Sequence, residues 1–199
     1  MADIKLFDKW DTEVEIKDPG LKDYINLKPV IVPRASHGRH SKKKFYKSDI
    51  NIVERLMNHL FVSGHRGKKH KTSSGSFSGK GVTAYILMKE CMEIIERKTK
   101  SNPVEILVGA IENAALREEV SSYQMGSIIA RKAVITAPQR RVDIALRLFV
   151  QGAYRKSFRN KKSITQALAE EIISAYNNSK DSTAIQEKER LEREAEGAR

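Results

Sequence analysis

Apolar residues recur with a helical period over residues 102–115, where Val104, Leu107, Val108, Ile111, Ala114 and Ala115 fall at 0, 3, 4, 7, 10 and 11 and share one face. Asn102 is placed to cap this helix, Pro103 suits its first position, and Glu105 stands where a capping-box acid belongs. Over residues 118–136 the period changes. Val120, Tyr123, Ile128, Ile129, Val134 and Ile135 are β-branched or aromatic, and Gly126-Ser127 separates two runs, which predicts a β-hairpin. Pro138 then opens a second helix in which Val142, Leu146, Phe149, Val150 and Ala153 fall at 0, 4, 7, 8 and 11. The chain is organised around this succession of helix, hairpin and helix.

Other stripes flank it. Ser48 is read as the cap of a helix carrying Ile50, Val53, Leu56, Met57, Leu60 and Phe61, ending at Ser63-Gly64. A helix over residues 80–99 is expected to turn Val82, Tyr85, Met88, Met92 and Ile95 inward, with Cys91 beside them as a structural residue. Ser163-Ile164-Thr165-Gln166 is a capping box for a last core helix with Ile164, Leu168, Ile172, Ala175 and Tyr176 on one side. The expected fold is therefore mainly α, a helical bundle of about five to six helices with a protruding β-hairpin. At 199 residues and 40% apolar composition it makes one domain with tails. Those tails are a surface extension over 1–27, a basic extended arm over 28–47 and a charged segment over 181–199, around a helical domain at 48–180.

Charge changes the picture from fold to function. The net charge is +12, and its distribution says more: residues 1–23 hold seven acids against four bases, and residues 181–199 hold six against four. The middle, residues 24–180, keeps 12 acids against 29 bases, a net of +17, which favours a polyanion as partner. Membrane binding is the weaker option, because no apolar run approaches the ~18 residues of a span and the N-terminus lacks an apolar signal core. With Cys91 alone there is no internal disulfide, which fits a reducing compartment, and the cytoplasm is expected.

Four acid-poor basic segments are candidate nucleic-acid contacts. The arm supplies Arg34, Arg39, His40, Lys42, Lys43 and Lys44, and a Gly-rich loop supplies His65, Arg66, Lys68, Lys69, Lys71 and Lys80. The hairpin carries Arg131 and Lys132 and is followed by Arg140 and Arg141; Arg155 and Lys156 begin the fourth segment. Aromatic residues are only 7% of the chain, so recognition of folded RNA through backbone and shape is favoured over the reading of single-stranded bases.

Competing chemistries fit poorly. Residues 75–81, Gly-Ser-Phe-Ser-Gly-Lys-Gly, look like a phosphate loop, but only three residues separate Gly75 from Gly79 and Gly81 replaces the Ser or Thr that would hold magnesium. His37 with His40, and His65 with His70, sit among lysines and arginines whose charge opposes a cation, so no metal is expected. Neither Glu118-Glu119 nor Glu170-Glu171 makes a catalytic pair, since neighbours in sequence point apart; no cofactor is expected and an enzyme is disfavoured. The rival from another class is a DNA-binding architectural or regulatory protein, which would need a recognition helix or an apolar minor-groove wedge.

With these residues in hand the sequence resembles the small-subunit ribosomal protein seven family in its archaeal and eukaryotic form. The matching motifs are Val32-Pro33-Arg34, Met57-Asn58-His59-Leu60, the run from Ser63 through Lys71, Asn102-Pro103-Val104, the run from Ala110 through Ala115, the run from Pro138 through Asp143, and Ala145-Leu146-Arg147. The resemblance implies direct binding to the 3′ major domain of small-subunit rRNA and nucleation of head assembly. It also implies other head and platform ribosomal proteins as partners, with the exit-site tRNA and the mRNA exit path nearby. The hairpin would reach that way through Tyr123, Gln124, Met125, Arg131 and Lys132. The family's RNA contacts would fall on the arm, on residues 64–71, on Lys80 and on Arg140-Arg141. Two departures stand out: the tip reads Met125-Gly126-Ser127 where the family carries a double glycine, and Leu116 replaces its usual proline.

Overall fold

A computed structural model describes residues 4–34, 36–62, 64 and 77–199. The described chain runs through α1 (Ile52–Leu60), α2 (Gly81–Thr99), α3 (Pro103–Ala114), β1 (Glu118–Met125), β2 (Ile128–Ile135), α4 (Pro138–Ser157), α5 (Ile164–Tyr176) and α6 (Thr183–Glu196). Three short 3-10 turns, Lys22–Tyr24, Arg39–Ser41 and Tyr46–Asp49, precede α1. The fold is mainly helical with one antiparallel hairpin, as the apolar periods predict.

Local chemistry sets most boundaries. The Asn102 side chain accepts from the Val104 N–H at 3.0 Å, ahead of Pro103, and Ser163 Oγ accepts from the Gln166 N–H at 3.3 Å. The expected Ser48 cap is displaced: Asn51 caps α1 by accepting from the Val53 N–H at 2.9 Å, while Ser48 is buried in the preceding 3-10 turn. At the hairpin tip Gly126 alone of the two loop residues has positive φ, +60°, the pattern of a type II′ turn. The ladder pairs Glu118 with Ile135 and Met125 with Ile128.

The α3 and α4 stripes named above are wholly buried and pack with Leu168, Ile172 and Ala175 of α5. The α2 stripe is rotated from expectation. Val82 is 66% exposed, and Ala84, Leu87, Met88, Cys91, Met92 and Ile95 face the core. Full burial pushes the Cys91 thiol pKa far up, which keeps it an inert core group.

Three segments read as peripheral are built in. Residues 1–27 are not a surface extension, because Leu6, Phe7, Trp10, Leu21 and Ile25 are core residues and Phe7 meets Trp10 edge-on at 5.7 Å. Isolated anchors in irregular chain carry no period, which is why the pattern missed them. The second half of the arm is wound into two 3-10 turns rather than extended, and in the first half the Ser36 N–H donates to Glu54 of α1 at 3.2 Å. The charged C-terminal segment forms α6, which buries Ala184 and Ile185 and accepts the Arg117 N–H on Glu192 at 2.9 Å.

Two internal carboxylates tie these pieces together. Asp143 of α4 accepts from Arg55 Nη2 of α1 at 2.9 Å and also pairs with Lys47 of the arm; Arg55 donates its other Nη to the Tyr24 carbonyl at 2.6 Å. Glu171 of α5 is fully buried, pairs with Lys156 Nζ at 2.6 Å, and accepts from Ser182 Oγ at 2.9 Å and the Ala184 N–H at 3.2 Å, so it caps α6 from another helix. Gly152 makes room for it: a Cβ there would lie 2.7 Å from the Glu171 carboxyl carbon.

Breaking a buried pair on one side costs about 3–5 kcal/mol, so Glu171→Ala should lower the urea midpoint. Gly152→Ala should do the same, with faster amide exchange over residues 183–196; unchanged exchange there would contradict the cap. For Asp143, burial alone would raise the pKa, but hydrogen bonds from Lys47 and Arg55 outweigh it and hold the carboxyl below its ordinary range. Such a group contributes stability above its unfolded pKa of about 3.9 and loses it as pH falls through the folded value. The stability gap between wild type and Asp143→Asn should therefore narrow below about pH 4, read by urea unfolding at a series of pH values.

Candidate nucleic-acid interface

Helix α4 arranges its cations by period. Arg140, Arg147 and Arg155 lie at 0, 7 and 15 along it, within a 100° per residue rotation that keeps them on one stripe opposite Val142, Phe149 and Ala153. All three are exposed, and at ~1.5 Å per residue the stripe is roughly 22 Å long. It is suited to meet a row of phosphates. Arg147 is not among the contacts expected from the sequence; its seven-residue spacing from Arg140 is the signal that marks it.

The other candidates divide into free and committed cations. Lys42, Lys43 and Lys44 are exposed on the arm, with Lys43 Nζ 5.5 Å from the Tyr46 ring centre. Arg39 is exposed and donates to the Ser36 carbonyl at 3.1 Å. The Arg34 guanidinium lies against Gly81, where a Cβ would collide with it, and so joins the arm to Lys80 at the start of α2. His40 is half-buried, and its Nδ1 is shut off from water without a hydrogen-bond partner among the described residues.

Arg140 and Arg141 are neighbours with opposite roles. Arg140 is 55% exposed and holds Glu119 of the hairpin through two bonds of 2.6 and 2.7 Å, which raise its pKa. Arg141 is 12% exposed and is spent inside, on Asp18 at 2.8 Å and the Leu116 carbonyl at 3.1 Å. Lys156 is likewise engaged, with Glu171 and the Asp181 carbonyl, while Arg155 is exposed beside it.

His65, Arg66, Lys68, Lys69 and Lys71 lie outside the described residues. The chain on either side of them is pinned, because the Phe61 and Phe77 rings stand 6.1 Å apart and Ser78 Oγ donates to the Phe61 carbonyl at 3.3 Å. The described residues that flank the run, Phe61 and Phe77-Ser78, are thus held together at the junction of α1 and α2.

On the hairpin, partners in the ladder share a face. Tyr123, Met125 and Ile128 stand with Lys132 on one side, and Ile129 and Arg131 on the other, all exposed. Gln124 is turned to the tip, donating to the Gly126 carbonyl at 2.9 Å. The base is held by Arg140 on Glu119 and by Arg199 on Glu118 at 2.6 Å.

Among the described residues no group of three or more His, Cys, Asp or Glu could hold a metal ion, and no helix is long and apolar enough to cross a membrane. Residues 21–199 match the ribosomal protein S7p/S5e family. Proteins called small ribosomal subunit protein uS7 are similar over nearly their whole lengths. The one from Nanoarchaeum equitans is 52% identical over 197 residues, covering 98% of this chain and 99% of its own. The one from Archaeoglobus fulgidus is 47% identical over 99% of this chain and 96% of its own, and that of Methanosphaera stadtmanae 45% identical over 98% of each. The chain belongs to the ribosomal protein S7p/S5e family, whose members are structural, non-enzymatic components of the small ribosomal subunit.

Proposed function

We propose that the protein binds the 3′ major domain of small-subunit rRNA and nucleates assembly of the subunit head, among other head and platform proteins. Its hairpin reaches toward the exit-site tRNA and the mRNA exit path. The observation that carries this reading is the separation of cations into two sets. Arg141, Arg55 and Lys156 are consumed by internal carboxylates, whereas Lys42, Lys43, Lys44, Arg147 and Arg155 are exposed. Charges that the fold does not need, set along the arm and one stripe of a rigid helix, suit phosphates held at fixed spacing. Arg supplies bidentate contacts and Lys point charge. By neutralising phosphates where RNA helices meet, such a surface lowers the repulsion that opposes their packing.

The exposed apolar tip, with Tyr123, Met125 and Ile128 beside Lys132, supports an outward role for the hairpin. Three large apolar side chains exposed on one face suit contact with a partner.

Crosslinking the purified protein to small-subunit RNA and mapping the attached segment tests the assignment; attachment outside the 3′ major domain, or equal competition by duplex DNA, would sink it. With ~6–10 phosphate contacts, affinity should fall about 10³–10⁵-fold between 50 and 200 mM salt. Replacing Lys42, Lys43 and Lys44 together with Ala should weaken RNA binding and reduce the salt slope by about three while leaving the thermal midpoint unchanged. Arg141→Ala should do the reverse, lowering stability with little loss of affinity per folded molecule. Deleting residues 121–132 should spare rRNA affinity and reduce crosslinks to exit-site tRNA in assembled subunits.

A further inference from the structure

A cleft of about 220 Å³ opens between the arm, α1 and α4, lined by His40, Lys47, Arg55, His59, Asp143 and Arg147. It is smaller than the roughly 300–1,000 Å³ of sites that enclose whole small molecules, so it admits a group rather than a nucleoside. Three cations against the single Asp143 carboxylate leave a charge of +2 before either imidazole is counted. Asp143 satisfies Lys47 and Arg55, but Arg147 makes no hydrogen bond or ion pair among the described residues, and His40 Nδ1 is enclosed and unpartnered. The cleft thus holds an excess of donors over acceptors at the midpoint of the α4 stripe.

We propose that this cleft seats one phosphate group of an RNA backbone, with Arg147 and His40 as its direct donors, and that seating it draws a proton from water onto the His59 imidazole. The inference rests on the RNA-binding reading above and gives it a discrete site. His59 is neutral in the free protein: burial, with Arg147, Arg55 and Lys47 acting against the one opposing charge of Asp143, lowers its pKa to about 4. An anion entering among those groups reverses the balance, because it offsets the cations that face the imidazole from α4, α1 and the arm. Lys47 and Arg55 stay on Asp143, so the socket forms without breaking the contact that joins the three elements.

The test uses the full chain with isotope-labelled histidine, titrated by NMR from pH 4 to 8 in chloride, in inorganic phosphate at the same ionic strength, and bound to a small-subunit RNA fragment. The His59 titration should move up by at least about one unit in phosphate and in RNA. Arg147→Gln, on an exposed residue that the fold does not use, should abolish the shift. It should also weaken RNA binding about tenfold at pH 4.5, the lower limit for a lost charged hydrogen bond, with less effect at pH 7, where His59 is neutral with or without the anion. A His59 titration unchanged by both ligands, with salt-dependent RNA binding intact in Arg147→Gln, overturns the socket and leaves the RNA reading standing. A shift in inorganic phosphate but not in RNA assigns the site to free phosphate and overturns the RNA source. Absence of RNA binding by the wild type overturns both.

Discussion

One carboxylate holds the working part of this molecule in register. Asp143 is the only acid between residues 120 and 169, against ten bases, and it is turned inward to Arg55 and Lys47. Without it, α4, α1 and the arm would present cations to one another at close range, at a mutual repulsion of several kcal/mol in a partly dry environment. With it, the arm is fixed to the helical body and Arg147 is left outside the pair, exposed on α4. A strongly basic RNA-binding protein faces a general conflict, since the charge that attracts phosphate also opposes folding. Here a few acids placed inside resolve it, and the surplus of bases is left for the outside.

The same device recurs at the other end of α4. Glu171 neutralises Lys156, caps α6 and fills the notch left by Gly152, so three helices meet at one buried carboxylate. Asp18 does the like for Arg141 and draws the N-terminal segment onto the body; burial raises its pKa, but the Gly20 N–H and Arg141 reverse that and hold it low. Each contact joins residues far apart in sequence. That explains why a chain with only 40% apolar residues holds its irregular segments as well as its helices.

How far the sequence was legible follows from the range of each interaction. Caps and apolar stripes act within a few residues, so Asn102, Ser163, Pro138 and the hairpin were readable one element at a time. Leu6 and Trp10 were not, because nothing local distinguishes a buried anchor in irregular chain from an exposed one. Val82 was misplaced because α2 packs on two sides and its true stripe includes Ala84 and Cys91, which weigh little in an apolar count. Charge was legible as a total and opaque in its assignment. Arg140 and Arg141 are adjacent and chemically identical, and their assignment is made elsewhere in the chain: Asp18, more than a hundred residues away, and the Leu116 carbonyl take Arg141 inside, while Glu119 holds Arg140 at the surface.

The hairpin shows what that consumption permits. A two-stranded ribbon alone is marginal in water, and this one carries exposed Ile128, Ile129 and Ile135, so its own cross-strand pairs cannot be what holds it upright. It is clamped at the root instead. Arg140 takes Glu119 from one side, Arg199 takes Glu118 from the other, and α6 lies along β1. Since α6 is anchored through Glu171, the direction of the ribbon is set by a carboxylate in the helical core. A projecting element that must meet a partner at a fixed place needs such a root, because a ribbon free to swing would lose on ordering what its tip contacts gain.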